Sequence, residues 1–574
     1  MKNISYSLSV VLLGFLFALT VLLPHILQRM DDAYPFQGIA IMATDAESHY
    51  AARYHEILDG HPELGNTYFS APKDQPSIQP PLPEWSLAMA SRILPFDPIV
   101  SFVLLTGLCA LLVFCAAVLA TFAITGKRYE SLAAVTVMLF AAAAFGTPWN
   151  LMHALSSGSL ADFGWLRFAR PVNPLWTSTW FFLTVFFLSK WVRKAEMLWM
   201  IVAACTTSIL LYSYFYGWTY LLATCGVLFL WYASRKDTKR LAHLLAFLLI
   251  FVVLGIPYFL HLSALMHHEW YPDASMRYGL IPSRAPVLGV WVIVLIFLSL
   301  FARRIAWKEQ FPLVLSLACG GCIAMNQNMI TGSSLFPEHY HWYFIQPLGT
   351  LFLSFTLILV CEQYMRVRLY RCVLLMTMIV SLAFGFVEQR DTYEVYRQDW
   401  GNAQHLASLF RYAREHLPPD SVAYSFDPFL TELLPVYTAM NVYTSTQAGN
   451  YLVPTARMRD VWFFTFWLQG ITPQSARVQF PTTLRKTLGS GIYGSHFRRL
   501  RGDYAAVPEE IVLQLVKEYE SYYALSFREK TSRYPLDYFI TSTTDVQTKE
   551  LRMLLSGGKN LFSDSGYRII ALRK

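Results

Sequence analysis

Apolar runs with no charged residue recur along the first two thirds of the chain. A run of about 20 such residues crosses a bilayer as a helix, with a working range of roughly 17–25. On that pattern the sequence predicts about eleven spanning helices. They fall near 8–27, 99–124, 131–146, 175–188, 197–211, 217–231, 241–260, 287–301, 311–324, 343–360 and 372–386. The fifth and sixth form a hairpin broken at Tyr214-Phe215-Tyr216-Gly217-Trp218, because basic residues flank both far ends.

The loops between the runs alternate in charge. Lys127-Arg128, then Lys190, Arg193 and Lys194, then Arg235, Lys236, Lys239 and Arg240 mark every second loop as short and basic. Arg303, Arg304 and Lys308, and later Arg366, Arg368 and Arg371, continue the series. Basic loops stay on the cytoplasmic side, so the N-terminus with Lys2 is expected inside and everything after Phe386 outside. The first run reads as a permanent span, since no small-residue cleavage site follows Pro24-His25. The expectation is a multi-pass protein of the cell (inner) membrane with its C-terminal part periplasmic.

Two stretches depart from the spanning pattern. Between the first two spans lies an outer loop, residues 29–98, far longer than a median connection of about 4–6 residues. Its residues 45–58 read as an amphipathic helix: Tyr50, Tyr54, Ile57 and Leu58 on one side, Asp45, His49, Arg53 and Glu56 on the other. Such a helix is expected along the membrane surface with its polar face toward a cavity. Ser77-Ile-Gln79-Pro-Pro-Leu-Pro-Glu-Trp85 then reads as a rigid turn feeding an interfacial helix. Residues 388–574 regain ordinary charge. There helices over 400–416, 457–470 and 509–519 alternate with strands over 421–425, 441–443, 537–542 and 567–572, which predicts a small α/β domain. The expected fold is a polytopic α-helical membrane protein with this C-terminal extracytoplasmic α/β domain, and the expected division is 1–387 and 388–574.

Composition agrees with the pattern. The chain is 55% hydrophobic and only 15% charged, against roughly a quarter charged in soluble chains. A formal net charge of +8 is accounted for by the inner loops, which removes the case for nucleic acid. All eight cysteines lie in or beside apolar runs, so the outward parts carry no intrachain disulfide framework. Cys319-Gly-Gly-Cys322 has redox spacing but no His or Asp beside it. Small residues at a helix contact explain it better.

Ionisable side chains gather instead in the outer loops. Asp45 and Glu47, two residues apart at a helix start, suit a general base or a divalent cation (Mg or Mn). Thr44-x-x-Glu47 is equally a capping box, with Asp45 suiting the helix dipole. Asp162, Arg167 and Arg170 precede the fourth span, where a forked guanidinium suits a lipid-linked phosphate or merely snorkels. Glu338-His339-Tyr340-His341-Trp342 carries metal-ligand types within an aromatic belt.

The layout resembles the GT-C class of membrane glycosyltransferases. Asp45-Ala-Glu47-Ser-His-Tyr50 and Gln79-Pro80-Pro81-Leu82 are similar to the first outer loop of protein O-mannosyltransferases and aminoarabinose transferases. Asp45, Asp162 and Glu338, followed by 388–574, match the plan of the oligosaccharyltransferase catalytic subunit. The Trp-Trp-Asp-Tyr-Gly acceptor motif of the latter is absent, its place taken by Tyr424-Ser-Phe-Asp427-Pro428. The resemblance implies transfer of a sugar from a polyprenyl-phosphate-linked donor to a glycan, lipid or protein acceptor, with membrane lipids around it. It implies Asp45 and Glu47 as catalytic residues, and His49, Arg53, Gln79, Asp162, Arg170 and Arg284 as substrate contacts. A cation would draw on Asp45, Asp162, Glu338, His339 and His341. A lipid-linked glycan flippase, or a non-catalytic assembly subunit of the same fold, are the alternatives.

Overall fold

The computed structural model describes every residue except 1, 45, 71–72, 143, 145–165, 306–308, 543–544, 546–547, 565 and 573–574. Each predicted span overlaps a helix. Among the described residues, five helices are long and apolar enough to cross a membrane: Pro98–Thr125, Thr238–His267, Phe311–Thr331, Glu338–Tyr364 and Val367–His416. A sixth candidate is the pair Tyr6–Val21 and Leu23–Arg29, bent by 56°. Leu175–Lys194 and Phe215–Ser234 are also apolar helices of 20 residues. The 197–231 region is two helices, Met197–Leu211 and Phe215–Ser234, meeting at a short turn.

Small residues set how closely these helices approach. A Cβ on Gly320 would lie 2.5 Å from Thr224 Oγ1 and 2.8 Å from the Thr224 backbone nitrogen. One on Gly321 would meet the Tyr220 hydroxyl at 2.7 Å. The Cys319–Cys322 segment is therefore the contact surface of Phe311–Met325 with Phe215–Ser234.

The division at 387/388 falls inside a helix. Val367–Asn402 runs unbroken past that point and continues through a 3-10 turn, Ala403–Leu406, into Ala407–His416. Beyond it stands a five-stranded sheet in the order Asn441–Val442, Val422–Tyr424, Tyr538–Ser542, Tyr567–Ala571, Lys559–Asp564. The first three are parallel and the last two add antiparallel. Asp427 caps the helix Pro428–Tyr437, accepting from Phe429 N at 2.9 Å, and also accepts from the Tyr567 hydroxyl at 2.8 Å. That carboxylate is a structural anchor.

The outer loop is not draped on a surface. Its helix Glu47–Leu58 is buried from Glu47 through Ile57 apart from Ser48, which is partly covered, and Ala51 and Ala52 are fully enclosed. Its expected polar side faces protein: it packs between Leu82–Ser91 and Pro428–Tyr437. The C-terminal region closes over it through backbone partners. Val442 N donates to Tyr68 O at 2.8 Å. The Gln404 amide accepts from Gln37 N at 2.8 Å and donates to Ile39 O at 2.7 Å. The Tyr451 hydroxyl donates to Thr67 Oγ1 at 2.8 Å. Asp31 takes a two-pronged ion pair from Arg397 at 2.6 and 2.8 Å, plus the Tyr393 hydroxyl at 2.5 Å.

Two outcomes follow from these contacts. Gly320→Leu should lower stability in detergent by about 1–3 kcal/mol, because the obstructing atoms include backbone. Gly226→Ala, on the same pair of helices but with nothing within 4 Å, should not. The Arg397 guanidinium holds the Asp31 carboxyl well below the usual carboxylate range. A depressed folded pKa stabilises above the unfolded value, about 3.9, and that contribution is lost as pH falls through the folded value. The difference in melting temperature between wild type and Asp31→Asn should accordingly be widest near neutrality and narrow on acidification below about pH 4. An equal difference at both pH values would remove the ion pair from the account.

Candidate functional site

The end of the bundle covered by the outer loop and the C-terminal region is where the polar side chains converge. Glu47–Leu58 brings Arg53 to Glu84: Nε donates to Oε1 at 2.6 Å, with the side chains only 1% and 0% exposed. A second guanidinium nitrogen of Arg53 donates to Gln79 O at 3.0 Å. One buried arginine thus fixes both ends of the Pro-Pro turn. Leu82 N completes the anchorage by donating to Tyr212 O, 3.1 Å away at the hairpin apex. On the next turn of the helix, burial pushes the Glu56 carboxyl up while Lys73, at 2.7 Å, pulls it back down.

Arg170 lies between two phenols. It donates to the Tyr343 hydroxyl and, at 3.4 Å, to the Tyr50 hydroxyl, with its guanidinium carbon 5.6 Å from the Tyr343 ring centre and 5.5 Å from that of Tyr50. Asn173 also donates to Tyr50 Oη at 3.3 Å. Tyr50 therefore belongs to the polar cluster, although it stands on the helix side that periodicity assigns to packing. Burial pushes its phenol up to about 12. His49 stacks on Tyr68 with rings 5° apart, and burial, then Arg53 and Arg170, push its imidazole down to about 3. It is a neutral ring at physiological pH.

Beside this cluster is a cavity of about 150 Å³. The Pro-Pro turn contributes Gln79 and Pro80, the hairpin contributes Tyr214 and Tyr216, and the segment after the helix Tyr271–Arg277 contributes Tyr278. Burial raises the Tyr278 phenol, opposed by Arg53 and Arg170, which places both guanidinium groups within electrostatic reach of the cavity wall. Gln79 Nε2 is buried without a hydrogen-bond partner. Tyr214 Oη and His339 Nδ1, 2.7 Å apart, link the same wall to the Glu338–Tyr364 segment. That segment opens on a single π turn, His341–Ile345, a form frequent at functional sites.

The residues singled out from sequence separate into three groups. His49, Arg53, Gln79, Arg170 and His339 come together. Asp45 and Asp162 lie outside the described residues. Glu47, Glu338, His341 and Arg284 are engaged elsewhere. Glu47 Oε2 accepts from Thr44 N at 3.0 Å and Thr44 Oγ1 at 2.9 Å, which ties it to the turn before the helix; the expected capping box does not form, because Ala46 is the N-cap and Glu47 the first helical residue. Glu338 pairs with Arg499 at 2.6 Å. The His341 ring rests on Trp342. Arg284 is exposed and donates to Met329 O at 2.8 Å. Among the described residues no three His, Cys, Asp or Glu side chains gather as a divalent cation needs. Glu84, Tyr343, Tyr214 and Tyr278 escape sequence reasoning. Only Glu84 carries a signal, as an acidic residue within an otherwise apolar stretch after the Pro-Pro turn.

The Arg53–Glu84 pair has a measurable signature. Breaking a buried pair by removing one partner costs about 3–5 kcal/mol, whereas replacing both with apolar groups is often near neutral. Glu84→Gln should depress the melting temperature strongly, and Arg53→Met with Glu84→Leu should recover most of that loss. A double variant as unstable as the sum of the singles would contradict the pairing.

No family model matches the chain, and no curated protein matches it. Among solved structures, it is similar to the oligosaccharyltransferase of Archaeoglobus fulgidus in the apo form, with a TM-score of 0.47 and 10% sequence identity. The match covers 93% of this chain and 69% of that one. It is a likeness of outline that does not reach individual residues.

Proposed function

We propose that the chain is a membrane glycosyltransferase that moves a sugar from a polyprenyl-phosphate-linked donor to an acceptor on the outer face of the membrane. The observation that carries this reading is Arg170, a buried guanidinium held by Tyr50 of the outer loop and Tyr343 of a spanning helix, beside an aromatic-walled cavity. A forked guanidinium suits a phosphate better than a point charge does, and the two tyrosines orient it. Lipid reaches this end of the bundle from the side. The neighbouring helix Thr238–His267 is largely uncovered, with Leu260 and Met266 among its exposed apolar residues.

Asp45 is the proposed base. It stands two residues before Glu47, whose own carboxylate is engaged by Thr44 in the turn before the helix. The charge alternation of the loops supports an outward orientation for this end.

Three variants test the reading in membranes containing the full-length protein and a polyprenyl-phosphate sugar. Arg170→Ala should weaken donor binding by roughly 1.5–3 kcal/mol, the scale of a hydrogen bond to a charged group. Arg170→Lys should fail to restore it. Asp45→Asn caps a helix as well as Asp does and should insert and fold normally, yet lose about 100- to 10,000-fold in transfer rate. Full transfer by Asp45→Asn at normal abundance would return the protein to the class of non-catalytic subunits.

A further inference from the structure

Another recess lies at the opposite end of the bundle from the covered site. It opens where Arg128–Phe140, Gln346–Tyr364 and Val367–Asn402 come together, beside the basic loop of Arg366 and Arg368. Its volume is about 620 Å³. We propose that it holds one zwitterionic phospholipid with a primary amine, of the phosphatidylethanolamine class, drawn from the inner leaflet. The proposal is independent of the donor reading above.

The wall is layered as a lipid is. Arg371, Leu374, Leu375 and Met378 of Val367–Asn402 line the recess. Their spacing of three to four residues puts them on one face of the helix. At 1.5 Å per residue, that face is apolar for roughly 10 Å beyond the guanidinium, toward the middle of the span. A charged mouth above an apolar wall suits a headgroup with its acyl chains, and not a soluble ligand. Leu375 is 54% exposed, so the wall is open from the membrane side. The whole span is sparsely covered, with only 22% of its most apolar stretch buried.

The charges at the mouth select the headgroup. Glu130, Glu362 and Arg371 are the charged lining residues. Lys127 takes Glu362, with Nζ donating to Oε1 at 2.7 Å. Glu130 Oε1 accepts from the Tyr370 hydroxyl at 2.8 Å, a neutral partner. Among the described residues neither Glu130 nor Arg371 forms an ion pair. One recess thus offers a guanidinium and a carboxylate, each without a counter-charge. A phosphodiester carrying an ammonium on a short tether answers both: the fork takes the phosphate and the carboxylate takes the amine. Anionic lipids favour basic pockets, whereas here their extra negative charge would face Glu130. A choline headgroup keeps the positive charge but has no N–H to donate to the carboxylate.

Such a lipid fills the gap between the bundle and the foot of its last span. That helix is the rod whose far end carries Arg397 and leads into the covering region.

The test adds phosphatidylethanolamine, phosphatidylcholine or phosphatidylglycerol, with identical acyl chains, to the delipidated full-length protein in detergent. Bound lipid is counted by native mass spectrometry. Phosphatidylethanolamine should bind roughly tenfold tighter than either of the others. Glu130→Gln, which keeps an acceptor for Tyr370, should reduce it to the level of phosphatidylcholine and leave phosphatidylcholine unchanged. Arg371→Ala should weaken both roughly tenfold. Arg368→Ala, an exposed arginine of the same loop outside the recess, should change neither. Equal binding of the three lipids, or a preference for phosphatidylglycerol, would overturn the inference. So would equal losses in Arg368→Ala and Arg371→Ala, which would reduce the effect to general surface charge. A dimer that forms without lipid and is lost in Arg371→Ala would overturn it too, by giving the recess to a second copy of the chain.

Discussion

Arg53 and Glu84 leave water together, and the arrangement of the covered end follows from that. A buried charge is tolerated only when paired and hydrogen-bonded. Arg53 on Glu47–Leu58 therefore commits Glu84 on Leu82–Ser91 to a single place, 2.6 Å away. The remaining guanidinium bond to Gln79 O sets the turn between them. Once these are fixed, Tyr50, three residues before Arg53 on the same helix, meets Arg170, and Gln79 reaches the cavity. The ion pair contacts no proposed substrate group. It positions the residues that do.

That pair stays dry because the C-terminal region covers it. The closure is made mainly of backbone partners and amide side chains: Gln404 to residues 37–39, and Val442 to Tyr68. Such contacts fix register, because a one-residue slip would strand several buried polar groups at once. The last spanning helix continues without a break into the covering region, so the cover is attached to the bundle by a rod and not by a linker. Outer loop, bundle and C-terminal sheet thus form one packed unit around the site.

Much of this was legible from residue pattern alone. Spanning helices announce themselves because lipid leaves backbone groups no partner but their own chain, which forces long charge-free runs. The alternation after residue 400 marked four strands to within a residue or so. The fifth, Lys559–Asp564, was missed because it is an edge strand with mostly exposed residues and no apolar alternation to betray it. The helix near residue 47 was legible too, but its surroundings were not. Periodicity assigns Arg53 and Glu56 to a wet face, whereas both are buried against Glu84 and Lys73, residues 31 and 17 positions away.

The sequence by itself determined the apolar helices, the alternating C-terminal elements and the residues able to carry chemistry, because burial in lipid and strand or helix periodicity are local properties. Tertiary structure decided which of those residues meet. It brought His49, Arg53, Gln79 and Arg170 to one end of the bundle, tied Glu338 to Arg499, and recruited Tyr50, Tyr214 and Tyr343 from positions that read as packing. The physical reason is that a tyrosine presents the same apolar ring whether its hydroxyl meets solvent, a helix carbonyl or a guanidinium. Only the partner's position in space tells these apart.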